Sequence, residues 1–196
     1  MDISQHINSI LNSNTYILSD KENCWLIDIG DTAKIFDFVS NKMNLKGVFL
    51  THSHFDHIYG INELHERFPL CNIYTSDYGK IALKDSKKNL SFYNGYPVDY
   101  LNDNVIVLND EDRINIFDNI YLNVLATPGH CPSCLTYYTD NYIFTGDSYI
   151  PGIKVVTNLP KGNKIQAQES VEKIKRLTEN RDICPGHGEI IPHQNC

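Results

Sequence analysis

Four side chains that commonly bind divalent metals lie within six positions of this sequence: His52, His54, Asp56 and His57. Neutral imidazoles and a carboxylate are ligands for Zn²⁺, and Fe or Mn ions use the same groups. On so short a turn the four side chains cannot all reach one ion. His52 and His54 can point one way, while Asp56 and His57 point another. The spacing therefore predicts two metal ions side by side.

A site for two metals needs further ligands, and three candidates share one local setting. His130, Asp147 and His187 each follow a predicted strand, and each has a glycine beside it. Glycine lets the backbone turn tightly and leaves room around an ion. We expect these three side chains to complete the centre. The remaining histidines lack this setting and are not predicted ligands: His6, His65 and His193.

The elements that must position these residues are short strands alternating with a few helices. The predicted strands cover 15–18, 24–29, 47–51, 72–75, 105–108, 113–117, 120–125, 135–138, 142–145 and 182–184. The predicted helices cover 32–43, 58–67, 76–83 and 165–178. This alternation predicts a mixed sheet with outer helices, in one domain over 1–196. The irregular stretch 84–100 carries aromatic side chains that could form a wall over the site: Phe92, Tyr93, Tyr96 and Tyr100.

Composition narrows the classes of function. The chain has 196 residues, 41% of them hydrophobic, and a net charge of −7 from 17 basic and 24 acidic side chains. This charge argues against broad binding to nucleic acid or to an anionic membrane. No apolar run approaches the roughly 20 residues of a membrane helix, and the N-terminus does not resemble a signal peptide. We expect a cytoplasmic protein that acts on a small-molecule substrate, without nucleic-acid or membrane partners.

Four motifs together resemble those of the metallo-β-lactamase-fold metallohydrolases, and most closely the glyoxalase II-like branch. They are the 52–57 segment, Thr-Pro-Gly before His130, Thr-Gly before Asp147, and Pro-Gly before His187 with Gly188 after it. The similarity runs from about Asn14 to Glu189. It implies an α/β (α+β) fold, a four-layer αββα sandwich of two mixed β-sheets with outer helices and the metals at one sheet edge.

The resemblance also implies an assignment of ligands and a reaction. One metal would be held by His52, His54 and His130, the other by Asp56, His57 and His187, with Asp147 as the bridge. The implied cofactors are two divalent metal ions, zinc first, with iron or manganese as alternatives. A metal-bridging hydroxide would cleave a small thioester, ester or lactone. Asp56 has a second, catalytic role in this scheme, orienting or deprotonating the water.

Two places depart from the family pattern. Tyr59 replaces the first glycine of an Asp-His-x-Gly-Gly motif, and its phenol could bind substrate, narrow the pocket or cap a helix. Cys131 and Cys134 form a Cys-x-x-Cys directly after His130. They can be a redox pair, an extra soft metal ligand, or two small buried side chains. The strand that follows them weakens the redox interpretation, because thioredoxin-like motifs begin a helix.

Substrate contacts are expected from loops near the metals. Tyr149 and Lys154 follow Asp147 closely and could face the pocket, where Lys154 could steer an anionic substrate. Glyoxalase II proper has a helical C-terminal region that binds glutathione, and this chain stops nine residues after His187. A related thioester, ester or lactone is therefore a better expectation than hydroxyacylglutathione itself.

Two other classes of function compete with the hydrolase. The first is a mononuclear iron sulfur oxygenase of the persulfide dioxygenase type, which would use His52, His130 and Asp147. The second is a non-catalytic metal-binding domain that serves as a sensor or interaction module. Metal identity separates the hydrolase from the oxygenase, and the absence of turnover would favour the sensor.

Overall fold

The computed structural model describes residues 1–193, which form two β-sheets packed face to face. The first sheet contains β1 (Asp2–Ile7), β2 (Asn14–Asp20), β3 (Asn23–Ile27), β4 (Asn44–Phe49), β5 (Asn72–Thr75) and β6 (Val105–Val107), in that spatial order. The second contains β7 (Arg113–Phe117), β8 (Ile120–Ala126), β9 (Leu135–Tyr138), β10 (Tyr142–Gly146) and β11 (Asp182–Pro185), in the order β11-β10-β9-β8-β7. Both sheets are mixed: β3 to β6 run parallel, as do β10 and β11, and the other neighbours are antiparallel.

One large core cluster lies between the two sheets. Because side chains alternate along a strand, Tyr16 and Leu18 of β2 pack with Leu122 and Phe144 of the second sheet. The intervening Ile17 packs in a separate cluster on the helix side of the first sheet. Both faces of this strand are therefore buried, which explains its apolar run.

Helices cover the two outer faces. The first sheet is covered by α1 (Ala33–Lys42), α2 (Ile61–Arg67) and α3 (Asp77–Leu83), which contribute Ile35, Leu64 and Leu83 to the helix-side cluster. The second is covered by α4 (Lys164–Leu177), where Ile174 packs against Ile143 and Ile183. The layers run helix, sheet, sheet, helix, and the predicted αββα sandwich is confirmed.

Most predicted elements are present, with two local corrections. The helix predicted over 58–67 begins only at Ile61, because Phe55–His57 first form a 3-10 turn. The chain then contacts the loop that follows β3, where Gly60 N donates to Ile29 O at 3.2 Å. The edge strand β1 was not predicted, and it pairs with β2 in antiparallel register.

The aromatic wall predicted over 84–100 is wrong for one of its members. Tyr100 is fully buried in the helix-side cluster, and its hydroxyl donates to Asn104 Oδ1 at 2.6 Å. Phe92, Tyr93 and Tyr96 are exposed. The assignment of 1–196 to a single domain stays a prediction, and 194–196 lie outside the described residues.

No helix within residues 1–193 is long and apolar enough to span a lipid bilayer. The expected cytoplasmic location and small-molecule partner stay predictions.

Candidate metal centre

The loop after β4 brings four predicted ligands to one edge of the first sheet. The strand ends at Phe49, and the 3-10 turn over Phe55–His57 folds the chain back on itself. All four side chains are buried within this loop, with 0 to 5% of their surface exposed. They are His52, His54, Asp56 and His57. A buried, rigid loop at a strand end is a suitable platform for a site.

The other three predicted ligands come from strand ends of the second sheet. His130 follows β8, Asp147 follows β10 directly, and His187 lies two residues beyond β11. The parallel strands β10 and β11 end together, and Gly186 N donates to Gly146 O at 2.9 Å. A Cβ atom at position 186 would lie 2.2 Å from Asp147 Oδ1. Glycine at this position therefore allows the two strand ends to approach.

His52, His54 and His130 form a first group, whose ligand atoms all lie within 4.8 Å of one another. His130 Nε2 is 2.8 Å from His54 Nδ1. His130 Nδ1 lies 2.8 Å from the carbonyl oxygen of Val156. Because a carbonyl only accepts, this nitrogen carries the proton, and Nε2 of the neutral ring keeps its lone pair. That lone pair faces the centre of the group, as a metal ligand requires.

Asp56, His57 and His187 form a second group within the same 4.8 Å limit. Asp56 Oδ2 lies 3.4 Å from Nε2 of both His57 and His187. The two nitrogens are also 3.4 Å apart. His187 Nδ1 lies 3.1 Å from the carbonyl oxygen of Leu11, which leaves Nε2 free to face the group. The three ligand atoms form an equilateral triangle, an arrangement that suits coordination of one ion.

Asp147 lies between the two groups, and with His52 and His57 it forms a third, overlapping group within the same 4.8 Å limit. Its Oδ1 is 3.6 Å from His57 Nε2 and 3.5 Å from His187 Nε2. Its Oδ2 is 3.5 Å from His130 Nε2. The two oxygens of one carboxylate therefore face different ligand groups, which is the arrangement that a bridging ligand needs.

The chemistry of this cluster fits a pair of divalent cations. His52 Nε2 and Asp147 Oδ1 are buried and form no hydrogen bond of good geometry with residues 1–193. An unpaired buried polar atom costs about 1–3 kcal/mol, and cations bound at the two atoms would remove that cost. Imidazoles with carboxylates suit Zn, Fe or Mn. The three candidate metal groups within the described residues contain no cysteine.

Asp28 contacts the candidate centre, and the sequence motifs did not indicate it. Its side chain accepts hydrogen bonds from Thr51 N and Thr51 Oγ1, both at 2.7 Å, and lies 2.8 Å from His57 Nδ1. It is almost completely buried, and its φ of 61° lies in the left-handed region. A carboxylate at the end of an apolar run is a signal in the sequence, because a buried charge needs partners.

Carboxylates raise the pKa of two histidines in the second group. Burial opposes the charge on His187, but Asp147 and Asp56 outweigh it and raise its pKa to about 10. Burial likewise opposes the charge on His57, yet Asp56 and Asp28 raise its pKa to about 9. Burial favours neutral Asp147, but His187 and His57 hold its pKa well below the usual range. Both histidine rings are therefore protonated at neutral pH, and a cation that binds to this group must displace those protons.

The first group has the opposite character. Burial, followed by the nearby His130, lowers the pKa of His54 to about 3. Burial and the neighbouring His57 hold the pKa of His52 well below its usual range. Both rings are therefore neutral at physiological pH, the state in which imidazole binds a metal.

The predicted substrate contacts occupy different places. Lys154 lines a small cavity beside His130 and Asp147. A neighbouring cavity of about 740 Å³ is lined by Tyr149 and again by Lys154. Substrate binding by these two residues stays a prediction.

Tyr59 has a structural contact of its own. Its hydroxyl donates to Asp31 Oδ1 at 2.6 Å, and the residue packs against the helix-side core. This contact fixes the loop before α1. Substrate binding by Tyr59 stays a prediction, and it would have to compete with the bond to Asp31.

The three histidines that were not predicted as ligands lie outside the three metal groups of residues 1–193. His6 is in β1. His65 Nδ1 lies 3.2 Å from the hydroxyl of Tyr100. His193 Nδ1 lies 2.9 Å from Asp182 Oδ1.

An αββα sandwich with paired ligand groups at its edge defines a known class of metalloprotein. Residues 9–187 match the model of the metallo-beta-lactamase superfamily, and this chain belongs to that superfamily. Curated relatives carry the name hydroxyacylglutathione hydrolase. The Citrobacter koseri protein is 28% identical over 192 residues, which cover 92% of this chain and 67% of the relative. The Salmonella typhi protein is 27% identical, with 91% and 66% covered. The chain thus spans about two thirds of the length of these relatives.

Solved structures support the fold. The BLEG-1 B3 metallo-beta-lactamase superposes with a TM-score of 0.86 at 22% identity, covering 99% of this chain and 95% of its own. TTHA1623, solved in a di-iron-bound form, gives 0.82 at 22% identity, with 97% and 95% covered. ETHE1 from Myxococcus xanthus gives 0.74 at 24% identity, with 96% and 76% covered.

Proposed function

We propose that this protein is a dinuclear metal-dependent hydrolase that cleaves a small thioester, ester or lactone. The observation that carries the proposal is Asp147, whose two carboxylate oxygens face two complete ligand groups. The relatives named hydroxyacylglutathione hydrolase support a thioester as the bond that is cleaved.

Zinc is the proposed metal, with iron or manganese as alternatives. A similar solved structure in a di-iron-bound form supports keeping iron in the comparison. The first ion is assigned to His52, His54 and His130, the second to Asp56, His57 and His187, and the bridge to Asp147. When bound, two divalent cations supply a water of lowered pKa as nucleophile and positive charge for the developing oxyanion.

The chain's own residues hold the metal ligands in place and accept the proton of the attacking water. The ligands stand on strand ends and buried loops, so little motion is needed to hold a reacting centre in place. Asp56 is assigned the catalytic role of orienting the attacking water and accepting its proton. Its backbone carbonyl accepts a hydrogen bond from Ser13 Oγ at 2.6 Å, which holds this part of the loop in place.

The substrate is proposed to enter beside His130 and Asp147. The wall of the cavity there comes from Ile150 and 153–156 and includes Lys154, whose ammonium group favours an anionic or strongly polarised substrate. Apolar side chains of the same wall, Ile150 and Ile153, can contact the acyl part. Tyr149 lines the adjoining cavity and is assigned to the more distant part of the substrate.

The test is hydrolysis of a matched panel of thioesters, esters and lactones by protein loaded in turn with zinc, manganese and iron. We expect turnover of at least one bond class. Asp56→Asn is expected to lower kcat by about 100-fold or more, with metal content measured alongside. Asp31→Asn is the matched control, since that carboxylate binds Ser9 and Tyr59. Fully loaded protein that cleaves none of the three bond classes would overturn the proposal.

The oxygenase alternative uses only His52, His130 and Asp147, and it leaves the second group without a role. The complete triangle of Asp56, His57 and His187 therefore favours the hydrolase. One iron per chain together with oxygen consumption on a persulfide would establish the oxygenase instead. Tight metal binding without turnover of any substrate would point to the sensor.

A further inference from the structure

Cys131 and Cys134 lie side by side at the edge of the metal centre. Their sulfur atoms are 3.4 Å apart, and Cys134 N donates to Cys131 O across a tight turn. A disulfide has an S–S length of about 2.05 Å, so the two sulfurs need to approach by roughly 1.3 Å. Rotation of the two side chains within the turn can supply a movement of this size.

These two cysteines differ from the other cysteines of residues 1–193. Cys24, Cys71 and Cys184 each pack inside one of the hydrophobic clusters. Cys131 and Cys134 are equally buried, at 3% and 2% exposure, but they belong to none of the three clusters described. They are also absent from the three candidate metal groups. The pair is therefore buried outside the three hydrophobic clusters and the three candidate metal groups.

A short chain of polar contacts connects the pair to the ligand loop. Cys131 Sγ lies 3.0 Å from Ser133 Oγ. Ser133 Oγ accepts a hydrogen bond from Ser53 N at 3.0 Å and lies 2.9 Å from Ser53 Oγ. Ser53 stands between two predicted ligands, and His130 directly precedes Cys131. Movement of the Cys131 sulfur could therefore shift the first ligand group by two routes. One runs through Ser133 and Ser53, and the other through the backbone of His130.

We propose that Cys131 and Cys134 are a modification site, a reversible disulfide formed by hydrogen peroxide or another small hydroperoxide. One thiol, as thiolate, attacks a peroxide oxygen; the O–O bond breaks, water or an alcohol leaves, and a sulfenic acid forms. The other thiol attacks the sulfenic sulfur, which forms the S–S bond and releases a water. The two thiols lose two electrons and two protons to the peroxide. A dithiol reductant reverses the reaction.

The bond has a consequence for the metal centre. Closing the disulfide pulls Cys131 Sγ from Ser133 Oγ and tightens the turn that follows His130. We expect the oxidised protein to hold its first metal more weakly. This consequence rests on the proposed metal assignment, whereas the disulfide itself does not.

The experiment treats the whole metal-loaded protein with hydrogen peroxide, then alkylates it under denaturing conditions for intact mass and peptide mapping. Before alkylation we expect a loss of about 2 Da, the mass of two hydrogens. After alkylation the oxidised protein should carry two fewer alkyl groups than the untreated protein, and one peptide should be linked between Cys131 and Cys134. Dithiothreitol should restore both thiols. Chelator competition before and after oxidation should show roughly a tenfold or greater fall in metal affinity.

Three variants complete the test. Cys131→Ser and Cys134→Ser should each abolish the mass loss, whereas Cys71→Ala, which removes a buried cysteine elsewhere, should keep it. Free thiols at both positions after peroxide treatment of folded protein would overturn the proposal. A disulfide with unchanged chelator competition would overturn its link to the metal centre. The mass readout does not depend on hydrolysis, so failure of the hydrolase proposal is recognised separately.

Discussion

In His57, His130 and His187, the nitrogen that faces the candidate centre is set by a hydrogen bond on the far side of the ring. The partner of His57 is Asp28, the partner of His130 is the carbonyl oxygen of Val156, and the partner of His187 is the carbonyl oxygen of Leu11. These partners fix the ring orientation and, for the two carbonyls, the tautomer. The ligands therefore do not need to reorganise when a cation binds.

Asp28→Asn tests this orienting role. The amide removes the negative charge beside His57 while keeping the shape of the side chain. We expect metal affinity to fall about 10- to 100-fold, because partners beyond the ligands contribute at this level. Chelator competition measures the change, and Asp31→Asn is the control for loss of a nearby carboxylate. Equal affinities for the two variants would contradict the role of Asp28.

Lys154→Gln tests the proposed substrate wall. Lys154 lines the cavity beside His130 and Asp147, so loss of its charge should raise KM for an anionic substrate several-fold and leave kcat nearly unchanged. The measurement compares an anionic with a neutral substrate of the same acyl group. Lys173→Gln, an exposed position on α4 outside both cavities, is the control. An unchanged KM for both substrates would contradict substrate binding by Lys154.

The sequence predicted the convergence of seven side chains because their motifs sit at strand ends. The structure brings all seven together, and their metal binding stays a prediction. The sequence motifs did not indicate Asp28, because its place beside the site depends on a contact with His57, 29 positions away. The hydrogen bond from Tyr59 to Asp31 was not predicted for the same reason. Such pairings depend on tertiary packing, which local spacing does not encode.

The strand ends and helix termini hold the candidate centre together, and Gly129 lies at one of these close junctions. Its φ is 140°, and a Cβ atom there would lie 2.3 Å from Ala167 N at the start of α4. The position precedes His130, so the docking of α4 and the placement of this ligand depend on the same residue.

Gly129→Ala should lower the free energy of unfolding by about 2–4 kcal/mol, through backbone strain and collision with α4. Urea unfolding of the metal-free protein measures the loss. Gly152→Ala is the matched control: its φ is also positive, at 78°, but a Cβ atom there meets nothing within 4 Å. That variant should lose only about 1 kcal/mol from the left-handed conformation. Equal losses would show that contact with α4 is unimportant.

Among the elements, strands with a clear apolar pattern were predicted well, whereas the edge strand β1 and the start of α2 were not. β7 and β9 have the bounds expected from their alternation. β1 has a mixed sequence in which most side chains are only partly buried, so pairing with β2 determines its conformation. The late start of α2 reflects the 3-10 turn required to bury Asp56 and His57. Tertiary contacts overrode local preference in both places.

In the whole molecule, the candidate centre joins the two sheets. Four of its ligands follow β4 of the first sheet, and the other three follow β8, β10 and β11 of the second. Bound metal would therefore connect halves of the sandwich that otherwise meet through the apolar core. Folding stability and metal binding should be linked.

Metal removal tests this link. For one site with free metal at 100 times its Kd, binding contributes about 2.7 kcal/mol, which lowers Tm by about 5–11 °C on removal. Calorimetry with and without chelator measures the shift. His187→Ala should show a smaller shift than the unaltered protein, because its second ligand group is incomplete. An unaltered Tm after complete metal removal would show that the centre does not stabilise the fold.

The most direct test of the central claim is the number of metal ions per chain, measured by elemental analysis of protein purified without added metal or chelator. The paired ligand groups and Asp147 predict close to two ions per chain, falling to about one in His187→Ala by loss of the second site. A single ion per chain that persists in His187→Ala would contradict the dinuclear centre.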